Sequence, residues 1–318
     1  MSGTVLVTGA TGFVGRHVVP DLVARGFTVR VALRRPAEIS VFGHEVTRFV
    51  VGDMTADVDW RSWLRGADAV LHLAGIAHTG SVSEDAYDRV NRVATVRLAA
   101  ASRDAGARFV FVSSVRAQSG PAAEGVLTED SVPAPTDGYG RSKLAAEREI
   151  AALGGPYVIL RPTLVYGHGV RGNFQMLRFL ASLPAPLLLG GIHNARSLLA
   201  VENFAAAIDL ALTSEAALGG TFLAADAAPV SLAEILTLLR KGAGRRPWLV
   251  PIPTAFFDAA LTLARQRDLR DRLLGNLVVS TARLEALGYA SVVSPETALP
   301  ALGMGLKDAV REIRRRRA

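Results

Sequence analysis

Thr8-Gly9-Ala10-Thr11-Gly12-Phe13-Val14-Gly15 follows a β-branched run at residues 4–7. A helical pattern continues from it to Arg25, and Gly26 ends that pattern. A second strand pattern, Thr28–Leu33, comes next. Strand, glycine turn, helix and strand in this order make the unit that holds a dinucleotide. Gly9 permits the tight turn, Gly12 lets the backbone approach a pyrophosphate, and Gly15 lets helix and strand pack closely. The helix N-terminus, with Thr11, Phe13 and Val14 around it, then faces the phosphates. Strands and helices alternate beyond this unit, which predicts an α/β fold with a Rossmann-type, doubly wound parallel sheet.

Further along, Tyr139-Gly140-Arg141-Ser142-Lys143 places a phenol and an ammonium four residues apart. On a helix both leave the same face. Free tyrosine titrates near pH ~10, so work near neutrality needs a fall of about three pH units, roughly 4 kcal/mol. One positive charge at ~4 Å supplies about that much at an effective dielectric of ~20. Lys143 alone could therefore bring Tyr139 into range, and an oxidised nicotinamide would add more. Tyrosine and lysine at this spacing also occur on ordinary surface helices, so the context decides. A hydroxyl pair, Ser113-Ser114, ends the apolar run 109–112, and the glycine turn stands at the start of the chain.

Together these features resemble the extended short-chain dehydrogenase/reductase family, its sugar-nucleotide epimerase, dehydratase and reductase group. The glycine spacing, GxxGxxG, is the form used there. The resemblance covers nearly the whole chain and implies a smaller C-terminal substrate-binding lobe. It places the NAD(P)-binding domain at 1–167, with 193–225 returning to it, and the lobe at 168–192 and 226–318.

The resemblance also assigns residues. Ser114 is implied as the catalytic hydroxyl, with Ser113 supporting it, and Tyr139 and Lys143 complete the set. Asn91, in a helical stretch, matches an asparagine that braces the active site; a buried asparagine that merely satisfies backbone groups is the alternative. Asp53, followed by Met54, matches the aspartate that meets the adenine, and Leu73-Ala74-Gly75 the turn beside the nicotinamide ribose. Arg161-Pro162-Thr163-Leu164-Val165-Tyr166-Gly167 matches RPxxVYG, which brings Pro162 and Val165 to the cofactor. Asn173, Asn194, Arg196 and Arg272 look like the nucleotide-sugar side, with Arg196 as the pyrophosphate clamp. His72 reads as a packed strand histidine.

The second strand ends in Ala32-Leu33-Arg34-Arg35. NAD-specific proteins of this architecture usually place an acid there for the ribose 2′-hydroxyl. Two guanidiniums suit a 2′-phosphate instead, so NADP(H) is favoured over NAD(H). Merely solvated arginines are the alternative.

Composition narrows the remaining classes. A chain of 318 residues with 50% hydrophobic content can bury a large core. It has no cysteine, which excludes disulfides and cysteine-ligated zinc and fits the cytoplasm. A first strand starting by about Thr4 leaves no room for a signal peptide. No apolar run reaches the ~20 residues of a bilayer span. Residues 251–264 are the oiliest stretch and are expected as a buried helix. The formal charge of +7 suits an anionic substrate and cofactor, and no zinc-finger, RNA-recognition or basic-zipper pattern points to nucleic acid. Residues 311–317 hold five arginines against one glutamate, read as a frayed basic terminus, with anionic membrane contact as a minor alternative. A homodimer through a four-helix face is usual in the family.

Three chemistries share such a site. A 4,6-dehydratase needs an acid pair just after the catalytic hydroxyl, and here those positions hold Val115 and Arg116. Reduction of a 4-keto-sugar and 4-epimerisation of a UDP-hexose are both open, and the arginine pair leans toward reduction. A redox-inactive cofactor-binding sensor on the same fold is the reading from another class.

Overall fold

The computed structural model describes residues 3–35, 42–77, 82–170 and 172–304. The basic run 311–317 and the side chain of Asn173 lie outside the described residues. The chain begins β1 (Thr4–Thr8), α1 (Phe13–Ala24), β2 (Thr28–Leu33), β3 (Thr47–Val50), α2 (Arg61–Leu64) and β4 (Ala69–His72). α3 (Glu84–Tyr87) runs through a π-helical stretch, Asp88–Ala94, into α4 (Thr95–Asp104). Then come β5 (Arg108–Val112), β6 (Val126–Leu127), α5 (Gly138–Leu153), β7 (Tyr157–Pro162), β8 (Leu164–Tyr166) and α6 (Asn173–Ser182). β9 (Leu198–Ala200), α7 (Val201–Thr213), β10 (Thr221–Ala224) and α8 (Leu232–Gly242) follow. α9 (Thr254–Leu263), α10 (Arg267–Leu274), β11 (Val278–Val279) and α11 (Ala282–Glu285) come after them.

Seven strands form one parallel sheet in the order β10-β7-β5-β4-β1-β2-β3. Chain order reverses at β1, which lies between β2 and β4, so a crevice opens above the C-terminal ends of β1 and β4. Both faces of the sheet are covered, which explains unbroken apolar strands. Val5 and Val7 of β1 pack with Val18 and Leu22 of α1 and Phe204 and Ile208 of α7. Leu6 points the other way, to Leu98 of α4 and Ile150 of α5. A fully buried side chain of this size contributes about 1.5–3 kcal/mol.

A further core joins Tyr166, Phe174, Ile192, Val230, Leu236 and Leu299 beside the sheet. The capping box read from Ser231 and Glu234 is present at the start of α8. Two expectations change. Residues 277–289 return toward the sheet: β11 pairs with β6, and Leu284 and Tyr289 join the first core at the β10 edge, where the Tyr289 hydroxyl donates to the Ala225 carbonyl. The oily stretch 251–264 does form a helix, α9, but none of its residues is buried. Hydropathy states what a side chain prefers, whereas burial needs a layer to lie beneath, and α9 has only α10 and the edge of the second core.

Candidate active site

The glycine turn between β1 and α1 fits a dinucleotide by exclusion of side chains. A Cβ on Gly9 (φ +71°) would fall 2.5 Å from the Ala74 nitrogen, and one on Gly15 2.5 Å from Ala10 Cα. The turn after β1 thus rests directly on Leu73-Ala74, the turn after β4. Gly12 is exposed and precedes the first turn of α1, which has neither a side-chain cap nor an acidic residue. Its free N–H groups are left for an anion. Thr11 is exposed in the same turn, while Phe13 and Val14 are half-buried at the helix start. Phe13 packs on the second core, and Val14 and Leu73 on the first. Pro162 ends β7 against Ala224, and Val165 lies on β8.

At the far end of this groove, Arg34 and Asp53 meet. Arg34 Nη2 donates to Asp53 Oδ2 at 2.9 Å, and Thr55 donates from its N–H and hydroxyl to Asp53 Oδ1. Those Thr55 hydrogen bonds are the main reason the Asp53 carboxyl titrates below its ordinary value. Arg35 is exposed beside them, and Met54 packs under the sheet.

Ser114, Tyr139, Lys143 and Asn91 converge from three elements. Ser114 follows β5 and caps a short turn, accepting from the Arg116 N–H at 3.1 Å. Its hydroxyl also hydrogen-bonds the Tyr139 phenol. Tyr139 stands in the first turn of α5, which Asp137 caps through the Gly140 N–H at 2.7 Å. Tyr87 packs edge-on against the Tyr139 ring, with centroids 5.8 Å apart. One helical turn on, Lys143 Nζ donates to the Val112 carbonyl at 3.0 Å and lies 4.6 Å over the Phe111 ring.

Asn91 sits in the π-helical stretch, fully buried. Its Oδ1 accepts from the Ile76 N–H, while Nδ2 donates to the Ile76 carbonyl and to Ser142 Oγ. It thereby ties the turn after β4 to α5. A Cβ on Gly75 would strike Asn91 Oδ1 at 2.9 Å.

The expectation that Lys143 alone brings Tyr139 toward neutrality is corrected here. Burial raises the phenol to about 12, with Asp137 and Tyr87 adding to the rise and Ser114 and Arg116 opposing it. Burial also lowers the Lys143 ammonium to about 8. Its contacts are the Val112 carbonyl and the Phe111 ring, so desolvation outweighs the pairwise attraction that the spacing suggested. At neutral pH Tyr139 is a phenol, a proton donor.

Beneath the site lies a buried polar network. Ser113 Oγ donates to Glu147, and Arg161 donates from Nε and Nη2 to the same carboxylate and from Nη1 to Gln118 Oε1. Ser113 is thus held in the interior by Glu147, one residue before Ser114. Tyr166 donates to Asp226, which also accepts from the Ala200 N–H and Asn203. His72 hydrogen-bonds Thr8 and Thr95 and stacks between Phe109 and Phe111; burial lowers it to about 3. It is a packed strand histidine, as read from the sequence.

On the lobe side, Arg196 donates to the carbonyls of Gly275 and Pro121 at 2.9 and 3.1 Å. Among the described residues it meets no carboxylate. Burial, then Arg116 and Arg272, lower it to about 10. Arg116 is paired with Asp137, and Arg272 with Asp268. Asn194 differs from its sequence reading: its amide is occupied by the Leu273 and Gly275 carbonyls and the Leu232 N–H. It braces the Arg196 loop. Asn173 opens α6.

Sequence reasoning passed over Asp137, Tyr87, Ser142 and Glu147. Glu147 had a signal, since residues 139, 143 and 147 follow one stripe of a helix. Asp137 had one as well, an acid before a helix start.

The sequence pattern of the NAD dependent epimerase/dehydratase family matches residues 5–225. The UDP-glucose 4-epimerase of Vibrio cholerae is 35% identical over 307 residues, covering 91% of each chain. A Thermus thermophilus UDP-glucose 4-epimerase solved with NAD superposes with TM-score 0.76 at 27% identity, over 96% of this chain and 99% of that one. A short-chain dehydrogenase/reductase superfamily protein of Agrobacterium tumefaciens with bound NAD gives TM-score 0.77 at 24% identity, over 98% and 99%. The last comparison concerns the fold alone.

Proposed function

The chain belongs to the NAD dependent epimerase/dehydratase family, and from that premise we propose that it reduces a 4-keto group on a nucleotide-activated, UDP-linked hexose with NADP(H). When bound, the nicotinamide supplies the hydride to C4. The chain supplies the rest. Ser114 donates a hydrogen bond to the carbonyl oxygen, and Tyr139 delivers the proton as that oxygen gains charge. Lys143 holds the ribose and stabilises the tyrosinate left behind. Arg196, a cation with only carbonyl partners, would meet the diphosphate, and Asn194 would hold the loop that aims it.

The observation that carries the reductive direction is the end of β2, where Leu33 is followed by Arg34 and Arg35 instead of a carboxylate. A cofactor with a 2′-phosphate fits that end and exchanges each turnover. A second reading, 4-epimerisation of a UDP-hexose with retained NAD, is favoured by the Vibrio cholerae relative.

The deciding assay presents UDP-glucose, UDP-N-acetylglucosamine and a UDP-4-keto-6-deoxyhexose in turn, with and without NADPH. Oxidation of NADPH with the keto-sugar alone is the expected result. Interconversion of gluco and galacto forms without added cofactor would replace reduction by epimerisation. Inactivity on every nucleotide sugar, with turnover of some other carbonyl compound, would overturn the substrate class.

A further inference from the structure

α9 carries its apolar side outward. Its single charge, Asp258, turns inward to Arg270 of α10, and Phe257 turns onto the lobe core. Phe256, Ala259, Ala260 and Leu263 lie along one outward stripe, with Phe256 66% and Leu263 88% exposed. No charged side chain interrupts that stripe. This inverts the usual arrangement for a surface helix.

The border of the stripe is cationic. Arg265 lies in the turn after α9 and Arg267 opens α10; both are exposed, and neither has a carboxylate partner among the described residues. Arg270 and Arg272 of the same segment are both paired. The extended run leading into α9 lies beside Leu187, with Leu187 N–H donating to the Trp248 carbonyl and Val250 N–H to the Leu187 carbonyl. It leaves Trp248 57% and Leu188 54% exposed. Lys241, Arg245 and Arg246 precede it, exposed and likewise without carboxylate partners among the described residues.

We propose that the outward face of α9, with its cationic border, docks the protein on an anionic lipid bilayer. An apolar stripe without polar side chains at its centre fits the acyl boundary, and flanking arginines reach phosphate headgroups. Tryptophan favours the same interfacial level. A second copy of the chain would instead set these cations against their own kind. α9 has ten residues, and among the described residues no helix is long and apolar enough to cross a membrane, so the contact is peripheral. The inference does not depend on the reaction proposed above.

The test is co-sedimentation of the full chain with vesicles of phosphatidylglycerol and phosphatidylcholine in equal parts, against phosphatidylcholine alone. Binding to the anionic vesicles is expected to be at least about tenfold stronger and to weaken with salt. Phe256→Ser with Leu263→Ser, and separately Arg265→Gln with Arg267→Gln, should each lower it about tenfold with unfolding temperature unchanged. Absence of binding to any vesicle overturns the proposal. So does binding abolished only by replacing Arg314, Arg315, Arg316 and Arg317 with glutamine, which would place the contact in the tail. A dimer in light scattering that Phe256→Ser dissociates, without a change in lipid binding, would assign the stripe to a second copy.

Discussion

Arg34 Nη2 stands 2.9 Å from Asp53 Oδ2, so the ends of β2 and β3 are joined by an ion pair where a dinucleotide's adenosine would lie. Both side chains are well exposed, and such pairs contribute at most about 1 kcal/mol. The pair divides the two arginines: Arg34 is partly engaged, whereas the exposed Arg35 is the freer cation.

Arg35→Ser is therefore expected to weaken NADPH binding about tenfold or more, the scale of a charge-assisted hydrogen bond. Arg34→Ser should cost less, because Arg34 must first leave Asp53. NADH affinity should barely move in either variant. Titration by intrinsic fluorescence reads all four values, and equal losses for the two dinucleotides would show that the arginines are merely solvated.

Tyr139→Phe removes the proton donor but keeps the ring that Tyr87 packs against. Turnover should fall by about 10²–10⁴. Thermal unfolding and dinucleotide binding should stay close to the parent. Near-full turnover in this variant would mean that the chemistry resides elsewhere.

Arg196→Ala should raise apparent KM by about tenfold or more while lowering kcat less, because the lost contact binds ground state and transition state alike. Arg196→Lys should not restore it. One ammonium cannot span the Gly275 and Pro121 carbonyls and also present a fork to phosphate. Steady-state kinetics that show a kcat effect alone would remove Arg196 from the binding role.

His72 makes folding acid-sensitive. Its folded value lies near 3, against 6.5 for the free side chain. Between these the unfolded chain holds a proton that the native state refuses, so stability rises with pH across the window and falls as pH drops from 6.5 toward 3. His72→Gln should lower the unfolding temperature at pH ~7 through lost packing, yet show a shallower decline below pH ~6.5. Parallel melting curves for both proteins across that range would contradict the assignment.

Much of the site was legible because local pattern carries it. The glycine turn, the arginines after β2 and the Tyr139–Lys143 pair each sit within a few residues of one another, and α5 does place Tyr139 and Lys143 one turn apart. Asn91 was also readable, although its π-helical setting was not. Asn194 looked like a substrate contact, but its amide is satisfied by Leu273, Gly275 and Leu232, far away in the chain. No local pattern announces such partners.

By itself the sequence determined the order of strands and helices, the parallel sheet and the residues that could carry hydride chemistry. Periodicity, turn glycines and side-chain type depend only on neighbours along the chain. Tertiary structure alone decided the protonation of Tyr139 and Lys143, the carbonyl-only company of Arg196 and the outward turn of α9. Each of these depends on which distant segments remove water from a group or leave it exposed, and desolvation is a property of the assembled fold.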